Sequence, residues 1–440
     1  MSRFSTAALL FLSVLGVAIV QASSEDSGPR APKALRPVVA HTTRLLAEGQ
    51  RVFRFDTFGD EQFWGGALKL HQALAGAKLG GVGPGVSPAT ALAVGLKVDS
   101  DALPKSLLRA IQRGAVDLND PASTMALLQH NAVVGVTGFF EQGRLTSVGI
   151  QCSLCHSDVD NRIAPGIGRR LDGWPNRDLN VGAIIALAPD LSPVTNLLGV
   201  DDATLRTVLN AWGPGRFDAT VFMDGKALKP DGTPATVMIP AAFGLAGVNL
   251  HTNTGWGGVS HWNAFVANLE MHGQGTFYDP RLNDPVKFPI AAREGFGNVR
   301  AQRDLITSKL PALQLYQLAL APPTPPAGSF NATQAAAGEQ VFNGKARCST
   351  CHVPPIFTEP GWNMHTAAEI GIDAFQAQRS PDGAYRTTPL RGLFTRLKGG
   401  FYHDGRFKTY EAVVDHYEKV FGLGLTAAER TDLIEYLKSL

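Results

Sequence analysis

Cysteine is scarce in this 440-residue chain, with four in all and none outside two short clusters. A disulfide framework draws on cysteines spread along the chain, so this distribution argues against one. Charge of one sign is lacking too. Forty Lys and Arg face 38 Asp and Glu, leaving a net charge of +2, and nothing in that balance points to nucleic acid or an anionic membrane as partner. Long apolar runs are missing after the first residues. The run from Ala7 to Val20 follows Arg3 and leads into Val20-Gln21-Ala22, and it is shorter than the roughly 20 residues a spanning helix needs. A positive start, an apolar centre and small residues at the end predict a cleaved secretory signal peptide over residues 1–22. The mature chain is then expected to be periplasmic and to have no membrane span. Hydrophobic residues make up 44%, which excludes general disorder, and 47 Gly with 28 Pro predict long irregular loops.

The four cysteines form two copies of one pattern, Cys152-Ser-Leu-Cys155-His156 and Cys348-Ser-Thr-Cys351-His352. Two thiols one helical turn apart can bond the two vinyl groups of one porphyrin, and the adjacent histidine then reaches the iron. A structural zinc site would need a fourth ligand from elsewhere. A thioredoxin-like pair has no use for the histidine. The pattern therefore predicts two covalently bound haem c groups, on Cys152, Cys155 and His156 and on Cys348, Cys351 and His352, with His156 and His352 as proximal ligands.

Residues 322–329, Pro-Pro-Thr-Pro-Pro-Ala-Gly-Ser, read as a stiff spacer between two haem-bearing parts, 23–321 and 330–440. Beyond the spacer, Asn331 to Phe342 predicts a helix leading to Cys348. Leu433, Ile434 and Leu437 recur at helical spacing behind Thr426, which suits an N-cap. The first part repeats pieces of the second. Glu48-Gly-Gln-Arg-Val-Phe53 echoes Gly338-Glu-Gln-Val-Phe342, and Ile239 to Leu245 echoes Thr388 to Leu393. The first part also carries an inserted segment, about 54–148, ahead of its haem motif. The fold expected is mainly α, with two cytochrome c-like haem domains in tandem, long irregular loops and this insertion in the first.

Cys348 to His352, Phe357-Thr-Glu, Arg386-Thr-Thr-Pro-Leu-Arg391, Phe401-Tyr-His-Asp-Gly-Arg406 and Thr409-Tyr-Glu-Ala-Val-Val414 stand in an order and spacing that resemble the bacterial dihaem cytochrome c peroxidases and MauG. In the first half, only the haem motif, a Gly-Trp loop and one acidic motif fit. The resemblance implies that the C-terminal haem stores and relays electrons while the N-terminal haem meets hydrogen peroxide, with a tryptophan between them. It also implies a distal ligand for the C-terminal iron fourteen positions after His403, which is Tyr417. His416, Met364 and His365 are alternatives, and His403 reads as a hydrogen-bonding neighbour. An anionic oxygen ligand would lower the potential relative to a thioether.

The peroxidases hold a resting histidine on the N-terminal iron, in a loop soon after the motif. Here no histidine occurs from Ser157 to Leu250, and the matching loop runs Gly166 to Trp174. The resemblance then implies an iron open at rest, unless His71, His130, His251, His261 or His272 folds over it. Glu270 in Asn268-Leu-Glu270-Met271 matches the family's acid–base residue, and Trp256 its relay, with Trp174 and Trp262 as alternatives. An exposed helical glutamate and a core tryptophan are the plain readings of the same residues. The expected activity is that of a cytochrome-c peroxidase-like oxidoreductase drawing electrons from a small cytochrome c, a cupredoxin or a protein substrate. A non-catalytic dihaem electron carrier and a dehydrogenase cytochrome subunit are the competing expectations.

Overall fold

The computed structural model describes residues 33–440, so the expected signal peptide lies outside the described residues. Residues 44–440 form one compact unit. Six of the chain's helices, in chain order, are α1 (Arg36–Phe55), α2 (Val259–Phe265), α3 (Leu310–Ala319), α4 (Ala332–Asn343), α5 (Tyr410–Phe421) and α6 (Ala427–Ser439). Helices dominate, and the β structure among the described residues is confined to two-stranded ribbons. The longest ribbon pairs β1 (Val136–Glu141) with β2 (Arg144–Ile150). Gln142 and Gly143 between them both take positive φ, 49° and 80°, which matches the right-handed twist a tight hairpin needs. Strand β2 then delivers the chain to Cys152.

Short polar side chains start the C-terminal helices. The Asn331 side chain accepts hydrogen bonds from the backbone N–H groups of Thr333 and Gln334 at 3.0 and 3.1 Å, opening α4. Thr426 and Glu429 form a reciprocal capping box at the start of α6. Residues 322–329 carry neither helix nor strand.

The sequence echo corresponds to one packing motif used twice. Gly49 of α1 meets α3 so closely that a Cβ there would lie 2.0 Å from the Ala312 carbonyl oxygen. Gly338 of α4 meets α6 in the same way, with a Cβ 1.9 Å from the Asp432 oxygen. One turn on, Phe53 packs on Tyr316 and Phe342 on Tyr436, with ring centroids 5.7 and 5.2 Å apart. Each closing segment is tied down alike: Gly244 N–H donates to the Leu320 carbonyl at 2.8 Å, and Gly392 N–H to that of Leu440 at 2.6 Å. Both glycines have φ near the left-handed region, 65° and 68°, which a side chain would strain.

The chain segments on either side of the spacer are locked by buried charge. Arg379 donates to Asp224 at 2.7 Å and to Asp218 at 3.1 Å, and all three side chains are essentially inaccessible. Around them, Met238 N–H donates to the His403 carbonyl at 2.6 Å and Lys229 pairs with Asp404 at 3.3 Å.

Candidate haem sites

Each Cys-x-x-Cys-His motif winds through a single helical turn. His156 N–H reaches the Cys152 carbonyl at 3.2 Å, and His352 N–H reaches that of Cys348 at 2.9 Å. The turn gathers both sulfurs and the imidazole at one place. All six residues line a single cavity of about 790 Å³, and none of the cysteines is in a disulfide. His156 Nδ1 lies 3.1 Å from the Pro240 carbonyl, and His352 Nδ1 lies 3.1 Å from that of Phe357. A carbonyl only accepts, so each ring carries its proton on Nδ1 and keeps the Nε2 lone pair for a metal. Burial lowers the pKa of both rings, that of His352 to about 4, so both are neutral at pH 7 as ligands must be.

The surroundings fit porphyrins. Burial pushes the Cys152, Cys155 and Cys348 thiols up to about 12, an environment that disfavours the thiolates of a zinc site. Arg177, Arg386 and Arg396 also line the cavity. Burial lowers their pKa values to about 9, 9 and 10, and Arg396 repels the other two. Nε and Nη1 of Arg177 are buried with no hydrogen-bond partner. The unanswered guanidinium of Arg177 suits a carboxylate of the kind every haem carries.

Near the second motif, Tyr417 of α5 lines the cavity, and its ring stacks on Phe421 at 5.7 Å. Burial holds its hydroxyl above the usual range, and Cys348 and Cys351 are among the groups acting on it. Tyr402, in the left-handed region at φ 66°, lies against it with ring centroids 6.3 Å apart. His416 points its Nε2 to the Ile370 carbonyl at 2.9 Å. Met364 packs its sulfur over Gly255. His365 lines the cavity but is held by Glu359 at 2.6 Å and Glu369 at 3.3 Å. His403 stacks on Tyr385, and burial lowers its pKa to about 4.

Near the first motif, Glu270 ends a π-helical turn, Val266–Glu270, that continues α2; such turns collect at functional sites. Glu270 lines the cavity, and both its carboxylate oxygens are buried without a partner. Burial first, then the nearby Asp218 charge, holds its pKa well above the ordinary carboxylate value. A second π-helical turn, Gln62–Ala67, faces this one from the expected insertion. Trp64 donates to the Met271 carbonyl at 2.9 Å, and Phe63 stacks on His272 at 3.6 Å.

Of the remote histidines, His251 and His272 line the cavity. His261 is bound to Asp279 at 3.0 Å, and neither it, His71 nor His130 is among the lining residues described. Trp256 and Trp262 line the cavity and pack edge-to-face at 5.8 Å, whereas Trp174 packs on Phe394.

No protein-family model matches the chain. It is similar to methylamine utilization protein MauG of Methylorubrum extorquens, with 32% identity over 120 residues, 23% of this chain and 33% of the relative. Over that stretch it resembles the MauG and dihaem cytochrome c peroxidase family. The match spans a third of the relative's length. Among solved structures, a MauG-like protein associated with microbial copper homeostasis matches with 19% identity over 52% of this chain and 78% of that one, at a TM-score of 0.28. A variant of the diheme peroxidase BthA of Burkholderia thailandensis matches with 17% identity over 78% and 88%, at a TM-score of 0.28. Hydrazine synthase of Kuenenia stuttgartiensis matches with 16% identity over 48% and 75%, at a TM-score of 0.30.

Sequence reasoning about this family did not reach Asp218, Asp279, Arg177 or Arg379. Each gains its meaning from a partner far along the chain, and no local spacing announces it. Tyr402 was within reach, because it precedes His403 in a motif already singled out.

Proposed function

We propose that this protein is a periplasmic dihaem c-type cytochrome that reduces hydrogen peroxide, or uses it to oxidise a partner, at the N-terminal haem. Electrons are relayed from the C-terminal haem, and the donor is a small cytochrome c, a cupredoxin or a protein substrate. The haems bind covalently through Cys152 and Cys155 and through Cys348 and Cys351, with His156, His352 and Tyr417 as the iron ligands contributed by the chain. Among the described residues, no helix is long and apolar enough to cross a membrane.

The observation that carries the proposal is Glu270: a carboxyl group shut from solvent, without a hydrogen-bond partner, in the cavity that the first haem motif lines. When bound, the haem supplies the iron that accepts peroxide and passes electrons to it. Two electrons and two protons turn one peroxide into two waters. Glu270 takes a proton from the near oxygen and returns it to the far one, which favours cleavage with both bonding electrons leaving together. Once Glu270 has taken that proton, its raised pKa favours holding it until the far oxygen leaves.

Mixing the oxidised protein with peroxide is expected to change the haem spectrum within the mixing time, without prior half-reduction. Glu270→Gln should slow that change by about 10²–10⁴-fold, the range of general acid–base catalysis, with both haems still attached. A wholly low-spin oxidised protein that is inert to peroxide would favour an electron carrier. His251 and His272 then supply the specific reason, since both line the cavity.

A further inference from the structure

Three tryptophans line the cavity among the described residues, namely Trp64, Trp256 and Trp262, and their indole N–H groups meet different fates. That of Trp64 donates to a neutral carbonyl, Met271 O, at 2.9 Å. That of Trp262 is buried with no partner. That of Trp256 donates at 3.2 Å to Oδ2 of Asp279, a carboxylate that is 3% exposed. His261 Nε2 donates to the same oxygen at 3.0 Å, and Arg281 binds both carboxylate oxygens, at 2.8 and 2.7 Å. Burial works against ionisation of Asp279, but the hydrogen bonds from His261 and Arg281 outweigh it and hold its pKa well below the usual range.

The loop that carries Trp256 is also fastened to the C-terminal segment. Arg386 donates from its backbone N–H to the Asn253 carbonyl at 2.9 Å and from Nε to that of Thr252 at 2.7 Å. Trp256 itself is 4% exposed and stacks on Phe288 at 5.4 Å. Its indole is therefore rigid, dry and adjacent to a fixed negative charge.

We infer that Asp279 is a positioning residue that makes Trp256, rather than Trp64 or Trp262, the oxidisable tryptophan of the cavity. Removing one electron from an indole leaves a cation, and a buried carboxylate on its N–H stabilises that cation because little solvent screens the pair. The N–H proton stays on nitrogen, shared with Asp279. The oxidant is the peroxide-derived oxidising equivalent on the N-terminal side, which gains the electron, and a second electron arriving from the C-terminal side restores the indole. Arg281 neutralises part of the Asp279 charge and so sets how far the effect goes.

This inference rests on the peroxide reading above. The test uses the full dihaem protein, with Asp279→Asn and Arg281→Gln. In the resting protein, the indole N–H marker band in ultraviolet resonance Raman should shift in Asp279→Asn, reporting a weaker hydrogen bond from Trp256. After peroxide is added without an electron donor, mass spectrometry should find oxidation concentrated at Trp256 in the unaltered protein. Asp279→Asn should reduce the Trp256 share about tenfold, and Arg281→Gln should raise it. A purely structural role would move both variants the same way, and that result, or an unchanged share in either variant, overturns the inference. If Asp279→Asn fails to fold, the rise expected in Arg281→Gln still decides. Peroxide-induced haem changes that are normal, with Trp256 unmodified in the unaltered protein, would sink this inference alone, whereas no haem change at all would overturn the peroxide reading with it.

Discussion

Tyr417 and Glu270 line one apolar cavity and Asp279 binds the indole of Trp256, another lining residue, yet the environments of these three acidic side chains push them apart. Burial raises the first two because neither has a cation against it; burial also works on Asp279, but Arg281 and His261 reverse the outcome. A raised phenol stays protonated until a cation faces it, and a ferric haem iron would be such a cation. Tyr417→Phe is therefore expected to change the low-spin haem spectrum and raise that haem's potential by at least about 60 mV, a tenfold change in a one-electron equilibrium. His416→Ala should do neither, because the His416 ring is already committed to the Ile370 carbonyl. Spectroelectrochemical titration checks both, and an unchanged potential in Tyr417→Phe would move the ligand elsewhere. The spacing from His403 pointed to position 417, but only the folded chain shows that His416, its neighbour in sequence, is engaged by the Ile370 carbonyl and is not among the lining residues described.

At the scale of elements, two helix pairs share one device: a glycine on the opening helix lets the closing helix come into backbone contact. The contact is what lets Phe342 pack on Tyr436 and bury the end of α6, where Leu433, Ile434 and Leu437 are nearly inaccessible. Gly338→Ala would place a methyl group 1.9 Å from the Asp432 oxygen. The two helices must then separate, at a cost of about 1–3 kcal/mol by comparison with other overpacked cores. A lower urea midpoint with an unchanged slope is the expected result; an unaltered midpoint would mean that the helices are already loosely apposed. The echo of Glu48–Phe53 in Gly338–Phe342 was legible in the sequence, as were the Asn331 and Thr426 caps. Helix α3, which completes the first pair, was not read from the sequence, because its own pattern is apolar nearly all round and gives no single face to follow.

For the whole molecule, Arg379 with Asp218 and Asp224 ties residues beyond the spacer to those before it. Removing one member of a buried ion cluster leaves uncompensated charge and costs about 3–5 kcal/mol. Arg379→Gln should therefore unfold at markedly lower denaturant, and adding Asp224→Asn should recover part of the loss, since fewer buried carboxylates then lack a partner. Denaturation followed by far-ultraviolet circular dichroism would show it; a stability equal to that of the unaltered protein would mean the cluster contributes nothing net. The same cluster sets Asp218 beside the cavity, where its charge adds to the rise in the Glu270 pKa.

By itself, the sequence determined the chemistry that short spacing encodes: two Cys-x-x-Cys-His turns, the helix caps, the repeated Gly and Phe pairs, and the absence of histidine from 157 to 250. These are local facts, because one helical turn brings residues three or four apart together whatever the rest of the chain does. Only the tertiary structure decided that both motifs open on one cavity, that Phe63 and Trp64 join its wall, and which acidic groups meet a cation. Those outcomes depend on residues more than a hundred positions apart meeting in a low-dielectric interior, where a single hydrogen bond or charge changes what a side chain can do.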